Sequence, residues 1–212
     1  MGMAAWLMLL AGVSAAGTWL ALVYARRHKL IDQPGERRSH SVPTPRGGGI
    51  GITVALLFAC VMGGWMGVAG PAPLLGFAVG LLLVAGIGWV DDHRPLSPLL
   101  RLLVQGLAGV VLAWGLHGVE ERWGWAVLTA LSVPVLVNVW NFMDGINGLA
   151  SSQAVLAAVA FAWLVPAVAY PALALAAATA AFVPYNFPKP RIFLGDVGSG
   201  TLGYALAALL AE

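Results

Sequence analysis

The stretch Asn138-Val-Trp-Asn141-Phe-Met-Asp144-Gly-Ile-Asn147 places four polar side chains at the end of a long apolar run. Residues three apart on a helix are neighbours on one face, so the first three of these side chains are predicted to form a polar stripe. The glycines that follow are predicted to end the helix. An Asp is costly to bury near lipid, which makes Asp144 a candidate functional residue. The competing interpretation is a helix end whose polar side chains only cap backbone groups.

The composition around this stretch is that of a membrane protein. The chain has 212 residues, of which 60% are hydrophobic and 9% are charged, and this excludes an ordinary soluble domain. The single cysteine, Cys60, lies in an apolar run, which excludes a disulfide framework and a cysteine metal site. The apolar N-terminus has no basic residue before it, unlike a cleaved secretory signal, and therefore predicts a retained first span.

The apolar runs predict an all-α fold, a polytopic transmembrane helix bundle with seven full spans and a short eighth. Residues 148–187 carry no charge and at ~1.5 Å per residue are long enough to cross a ~30 Å core twice. Pro166 and Pro171 mark the turn between these two crossings. The last apolar piece, 201–211, would reach only ~17 Å. The other five spans are predicted near 3–24, 50–67, 73–90, 99–116 and 123–142.

The basic residues predict the orientation of this bundle. With the N-terminus outside, ten of the eleven Lys and Arg residues fall in or beside the inside loops, and Arg122 alone lies outside. Cytoplasmic loops are typically rich in Lys and Arg, so the N-terminus is predicted to be outside. The same arrangement gathers every Asp at the cytoplasmic face, which indicates a site there.

Two acidic groups at this face could carry chemistry. Asp91 and Asp92 end the third span, and adjacent carboxylates suit a metal or an unusual protonation state. The alternative is a polar helix boundary. Asp196 lies among glycines at 195, 198 and 200, which could bring the backbone close to a ligand while the carboxylate holds Mg²⁺. The alternative there is a tight turn between helices.

A basic loop supplies the third group, with Arg38, His40 and Arg46 beside three glycines. Arg is well suited to phosphate groups, although anionic lipid would also explain a basic inside loop. Together the three groups favour phosphoryl transfer between a soluble phosphorylated molecule and a lipid phosphate. No feature of the sequence points to nucleic acid as a partner.

These residues belong to four motifs in a fixed order, and the motifs resemble those of the polyprenyl-phosphate sugar-1-phosphate transferases (glycosyltransferase family 4). The first loop is most similar to the O-antigen-initiating type, rather than to the related phospho-MurNAc-pentapeptide translocases. The motifs are Asp32-Gln-Pro34 with Arg38-Ser-His40 and Pro-Thr-Pro-Arg46-Gly-Gly-Gly, then Val90-Asp91-Asp92 with Leu100-Arg101, then Asn141-Phe-Met-Asp144-Gly-Ile-Asn147-Gly, and Asn186 with Phe193-Leu-Gly-Asp196-Val-Gly-Ser199.

The resemblance implies an enzyme of the bacterial inner membrane with a cytoplasmic active site. Such an enzyme transfers a sugar-1-phosphate, often that of an N-acetylhexosamine, from a UDP-sugar to undecaprenyl phosphate and releases UMP. It requires Mg²⁺, with Mn²⁺ as an alternative, and initiates synthesis of a cell-envelope polysaccharide such as the lipopolysaccharide O-antigen.

The resemblance also implies a role for each matching residue. Asn147 departs from the family, which usually has Asp there, and an amide loses the charge. The implied catalytic residues are Asp91, Asp92 and Asp144, the metal ligands Asp196 and Asp144, the nucleotide-binding residues Asn141, Asn147, Asn186 and Phe193, and the phosphate-binding residues Arg38, His40 and Arg46.

Length is the larger departure, because family members carry further spans and a later cytoplasmic loop. We therefore expect residues 1–212 to form a single integral membrane transferase domain without those parts. A homo-oligomer or a completing partner chain would be a way to cover the short last helix. The alternative is an inactive, shortened remnant of the family. A membrane transporter is less favoured, because transporters usually bind substrate near the bilayer midplane between inverted repeats.

Overall fold

The computed structural model describes residues 2–33, 42–118 and 123–212, which fold into eight α-helices with short connections. A 3-10 turn, Pro166–Val168, precedes α7. An antiparallel ribbon pairs β1 (Ile31–Asp32) with β2 (Thr44–Pro45). The helices are α1 (Met3–Arg27), α2 (Ile50–Trp65), α3 (Pro71–His93), α4 (Pro98–His117), α5 (Trp123–Met143), α6 (Leu149–Leu164), α7 (Ala169–Asn186) and α8 (Gly195–Ala211).

Five of the helices in the described ranges are long and apolar enough to cross a membrane: α1, α3, α4, α5, and α7 with its 3-10 turn. The predicted all-α polytopic membrane bundle is therefore confirmed, but the prediction of seven full spans was wrong. Helices α2 and α6 have 16 residues each, below the roughly 20 that a full span needs. Gly148, in a left-handed conformation, precedes α6, and Pro166 follows it. Neither residue fits inside a regular helix as it stands, so the two limit α6 to this length.

Two predicted boundaries are confirmed and two are corrected. Helix α5 ends at Met143, just before the glycines, and α6 ends before Pro166, whereas Pro171 lies inside the first turn of α7. Helix α8 begins at Gly195, so the predicted start at residue 201 was wrong. Its 17 residues span ~25 Å. The helix starts early because the Asp92 carboxylate accepts N–H groups of its first turn.

Helix α8 lies at the centre of the bundle, and most of its residues are buried. It packs along α3 and α5, and α4 completes this group by packing on the same two helices. Helices α1, α2, α6 and α7 form a second group, which meets α8 through α2 and α6. A hydrogen bond of 2.7 Å between the Thr53 and Thr201 hydroxyls links α2 to α8.

Glycines allow the backbones around α8 to touch. A Cβ built on Gly49 would lie 2.1 Å from the Cα of Gly198, and one built on Gly88 would lie 2.5 Å from the carbonyl oxygen of Asp196. Both distances are far below van der Waals contact, so only glycine fits at either position. The start of α8 is thus pressed directly against α3 and against the segment that leads into α2.

We expect the variant Gly88→Ala to unfold at a lower temperature than the parent protein. The added methyl group would push α8 away from α3, and overpacking of this kind costs about 1–3 kcal/mol. Gly86→Ala is the matched control, because nothing lies within 4 Å of a Cβ built two residues earlier on the same helix. Thermal unfolding of both variants in detergent tests this expectation, and equal midpoints would contradict the close contact.

Candidate active site at one end of the bundle

Four carboxylates that are distant in sequence meet at one end of the bundle, called here the acidic end: Asp91, Asp92, Asp144 and Asp196. The first two lie in the last turn of α3, Asp144 directly follows α5, and Asp196 lies in the first turn of α8. Because α3 and α5 end where α8 begins, all four come together. The structure therefore assembles the acidic residues that the sequence analysis predicted as one site.

Arg101, in the first turns of α4, lies between two of these carboxylates. Its Nη1 donates a hydrogen bond of 2.9 Å to Asp91 Oδ2 and lies 4.0 Å from Asp196 Oδ2. The carboxylates of Asp91 and Asp196 therefore lie on either side of one guanidinium nitrogen. The Leu96 N–H also donates to Asp91, at 2.6 Å. One guanidinium thus balances two carboxylates that would otherwise repel each other.

Asp92 points the other way, into the protein. Its side chain is 1% exposed, and its two oxygens accept the backbone N–H groups of Asp196 at 3.1 Å and Val197 at 3.2 Å. A carboxylate at a helix N-terminus satisfies N–H groups that have no partner within the helix and is favoured by the helix dipole. Asp92 therefore caps α8 from a neighbouring helix.

Arg46 is the cation nearest to Asp92. Its Nη2 donates to the carbonyl oxygen of Asp92, and its Nε lies 3.8 Å from Asp92 Oδ1. The guanidinium is thus engaged by protein groups. Its predicted phosphate-binding role remains a prediction, and the structure shows a different set of partners.

Two members of the predicted polar stripe, Asn141 and Asp144, lie at the acidic end. Asn141 Nδ2 donates to Asp196 Oδ1 at 3.0 Å, and Asp144 lies close to the backbone of Gly195. Burial raises the pKa of Asp144 well above its ordinary value, and the nearby charges of Asp92 and Asp196 raise this pKa further. The competing interpretation of the stripe as local caps fails for Asn141, which reaches across to α8.

The first member of the stripe, Asn138, has a structural contact. Its Nδ2 donates to Gln105 Oε1 at 2.9 Å and to the Pro134 carbonyl at 2.7 Å. Gln105 is buried in α4, so this bond ties α4 to α5 a turn away from the carboxylates. Near the opposite end of the same helix pair, His117 and Thr129 form a second link of 2.9 Å. Both links hold the helix that carries Arg101 against the helix that carries Asn141.

The predicted nucleotide-binding residues occupy three different environments. Asn186 is 3% exposed; its Oδ1 accepts the Gly148 N–H at 2.7 Å, and its Nδ2 donates to the Ile192 carbonyl at 3.3 Å. Phe193 and Asn147 are half-buried. The backbone of Phe193 pairs with the segment before α2, and Asn147 lies in the turn between α5 and α6. Nucleotide binding by these residues stays a prediction. The structure shows that the Asn186 side chain bonds the protein backbone on both sides.

We expect Asn186→Ala to destabilise the protein. The substitution leaves the buried Gly148 N–H without its acceptor, which costs about 1–3 kcal/mol and lowers the unfolding midpoint by about 2–4 °C per kcal/mol. Asn147→Ala, at the half-buried amide in the same turn, is the control and should lower it far less. A normal midpoint for Asn186→Ala, combined with weakened UDP-sugar binding, would instead favour direct contact with nucleotide.

The donor set at the acidic end fits Mg²⁺. This ion prefers oxygen ligands and usually takes one or two carboxylates, completed by water and substrate phosphates. Asp144 and Asp196 are close enough for the charge of one to raise the pKa of the other, and a cation between them would relieve this repulsion. Within the described ranges, no group of three or more His, Cys, Asp or Glu side chains is arranged to hold a metal ion.

The structure gives contacts to two residues for which the sequence predicts no role, Arg101 and His93. Arg101 was recognised only as a motif residue, and its signal was a basic residue at the start of the helix that follows the Asp pair. His93 had no assigned role; its Nε2 bonds the Tyr24 hydroxyl at 3.1 Å and its Nδ1 bonds the Trp89 carbonyl at 2.8 Å. The predicted phosphate-binding residues Arg38 and His40 lie outside the described residues.

The fold and the acidic end define a polytopic membrane protein with a carboxylate-rich, arginine-bridged candidate active site. The model of glycosyl transferase family 4 matches residues 74–212. The chain belongs to this family, as the motif resemblance predicted.

Its curated relatives share about a third of its residues. The chain is 30% identical to a probable undecaprenyl-phosphate N-acetylglucosaminyl 1-phosphate transferase of Bacillus subtilis, over 84% of this chain and 54% of the relative. It is 31% identical to a decaprenyl-phosphate N-acetylglucosaminephosphotransferase of Mycobacterium leprae, over 94% and 59%. It is 32% identical to a phospho-N-acetylmuramoyl-pentapeptide-transferase of a Synechococcus strain, over 95% and 65%. The chain thus spans little more than half the length of these relatives.

Proposed function

We propose that this chain transfers a sugar-1-phosphate from a UDP-sugar to undecaprenyl phosphate, with release of UMP. The observation that carries the proposal is the Asp91–Arg101–Asp196 arrangement, which places one cation between two carboxylates at the end of a membrane bundle. Phosphoryl transfer depends chiefly on positioning and charge stabilisation. These are the properties that such an arrangement supplies.

In the proposed reaction, an oxygen of the lipid phosphate attacks the sugar-linked phosphorus of the UDP-sugar. A new P–O bond forms, the bond to the bridging oxygen breaks, and UMP leaves with that oxygen. Asp91 would accept or orient the proton of the lipid phosphate, and Arg101 would stabilise negative charge on the phosphates. Asn141 holds the Asp196 carboxylate through the bond at 3.0 Å.

Asp196 and Asp144 would hold Mg²⁺, with Mn²⁺ as the alternative. When bound, the ion would neutralise charge on the pyrophosphate. Keeping Asp144 charged is costly because of its burial and its acidic neighbours, and this raises its pKa. The same environment makes Asp144 a strong partner for a cation.

The sugar, the membrane and the side of the membrane are further parts of the proposal. Two of the relatives are named as transferases of N-acetylglucosamine phosphate, which supports an N-acetylhexosamine as the transferred sugar. The placement of ten of eleven basic residues on one side supports an outside N-terminus and a cytoplasmic site in the bacterial plasma membrane. The first loop supports initiation of an O-antigen-type polysaccharide.

The test is UMP release by the purified chain in detergent, with UDP-N-acetylglucosamine, undecaprenyl phosphate and Mg²⁺. We expect release that requires both the lipid and the ion. Parallel reactions with other UDP-sugars identify the sugar, and Mn²⁺ in place of Mg²⁺ tests the alternative ion. Folded protein that releases no UMP with any of these sugars would overturn the proposal for this chain and favour the inactive remnant.

A further inference from the structure

We propose that Asp92 and Arg46 form a clamp that positions the Asp196 carboxylate without contacting substrate; the inference rests on the function proposed above. Asp92 is 1% exposed, and both of its oxygens are engaged by the N–H groups of Asp196 and Val197. A carboxylate without free surface or a free oxygen is poorly placed to meet substrate. Its contacts instead determine where the first turn of α8 lies.

Arg46 contacts Asp92 from the segment before α2. It donates to the main-chain carbonyl of Asp92 and faces Asp92 Oδ1 at 3.8 Å. This charge offsets the cost of a carboxylate buried at the helix start. The guanidinium thus bonds the backbone of Asp92 and lies near its carboxylate without a hydrogen bond to it.

The segment that carries Arg46 is itself bonded to the chain entering α8. The Phe193 N–H donates to the Pro45 carbonyl at 2.8 Å, the Gly48 N–H to the Phe193 carbonyl at 2.9 Å, and the Gly49 N–H to the Leu194 carbonyl at 2.9 Å. Arg46, in the same segment, bonds Asp92, and Asp92 in turn accepts the first N–H groups of α8. The first loop, the end of α3 and the start of α8 are therefore joined as one unit.

The fit around this unit leaves no room for adjustment at Gly195. This residue has φ +76°, and a Cβ built on it would lie 2.7 Å from Asp92 Oδ2 and 2.7 Å from the Gly47 nitrogen. The next residue is Asp196. A displaced Asp92 would therefore move the Asp196 carboxylate relative to Arg101 and Asn141. Small displacements of this kind are costly for a reaction that depends on positioning.

The test compares Asp92→Asn, Asp92→Ala, Arg46→Lys and Arg46→Ala in the full chain, with exposed Arg94→Ala as the control. Residue-resolved hydrogen exchange measures protection of the Asp196 and Val197 amides. We expect protection at these amides to fall by about tenfold or more in both Asp92 variants and in Arg46→Ala, because a buried bond is lost. Arg46→Lys, which keeps the charge, should recover part of the protection.

Steady-state UMP release is measured on the same samples. We expect kcat of Asp92→Asn to fall by about 10²-fold while KM for the UDP-sugar changes less than about threefold, the pattern of a lost transition-state contribution. Loss of kcat with unchanged exchange would mean that Asp92 meets substrate directly, and would overturn the clamp. Increased exchange with kcat within twofold of the parent would overturn the positioning role. If the parent releases no UMP, the proposed function fails, and the exchange data alone support or refute the clamp.

Discussion

The Asp196→Asn variant is expected to release less than about one thousandth of the UMP released by the parent chain. The amide keeps the size of the side chain, and its oxygen can still accept the hydrogen bond from Asn141 Nδ2, which is 3.0 Å long in the parent protein. It loses the charge that faces Arg101 at 4.0 Å and that would hold Mg²⁺ with Asp144. Activity should therefore disappear while the fold persists.

The control for this experiment is Glu212→Gln, a change of the same type at the opposite end of α8, where the side chain is exposed. Its UMP release and unfolding midpoint should match those of the parent. Normal Mg²⁺-dependent UMP release by Asp196→Asn would contradict the assignment of this residue as a metal ligand. A large drop in its unfolding midpoint would show that the loss of activity reflects the fold.

Replacing Arg101 by Met should reduce kcat by about 10²–10³-fold. The substitution keeps an apolar side chain of similar length and leaves Asp91 and Asp196 facing each other without the cation that contacts both. The two carboxylates would then either repel or share a proton, and each outcome removes a charge arrangement that the proposed reaction uses. The measurement is kcat and KM for the UDP-sugar.

Arg101→Lys tests whether charge alone suffices. Lysine offers a flexible point charge in place of the planar guanidinium, so we expect partial recovery of kcat. Arg94→Met, in the loop before α4, removes an exposed cation and should leave kcat unchanged. Equal losses for the Arg94 and Arg101 variants would mean that overall charge at this face matters, and not the contact between Arg101 and the two carboxylates.

Much of the candidate site could be predicted because its residues carry strong local signals. Charged residues in an apolar chain are rare and costly, so Asp91, Asp144 and Asp196 stood out at the ends of apolar runs. Asn141 and Asp144 are three residues apart, and this spacing predicted that they share one face of a helix. The structure brings these residues together at the acidic end.

The roles of Arg46 and Asn186 could not be predicted in the same way. Both are polar residues in motifs to which the family resemblance gives a role in substrate binding. In the structure both have protein partners: Arg46 bonds Asp92, and Asn186 bonds Gly148 and Ile192. A sequence does not show whether a polar group is satisfied by a ligand or by a distant backbone group. That depends on which segments meet.

The sequence by itself determined the membrane class, the order of the helices, the family and the residues that could bear charge at one end of the bundle. The length of an apolar run and the glycines or prolines that end a helix are local properties, so they can be identified from the sequence alone. Only the tertiary structure decided that Asp91 and Asp196 share Arg101, whereas Asp92 turns inward to cap α8. Adjacent residues on a helix point in directions about 100° apart, so the packing of α3 against α8 brings one carboxylate to Arg101 and its neighbour to the first turn of α8.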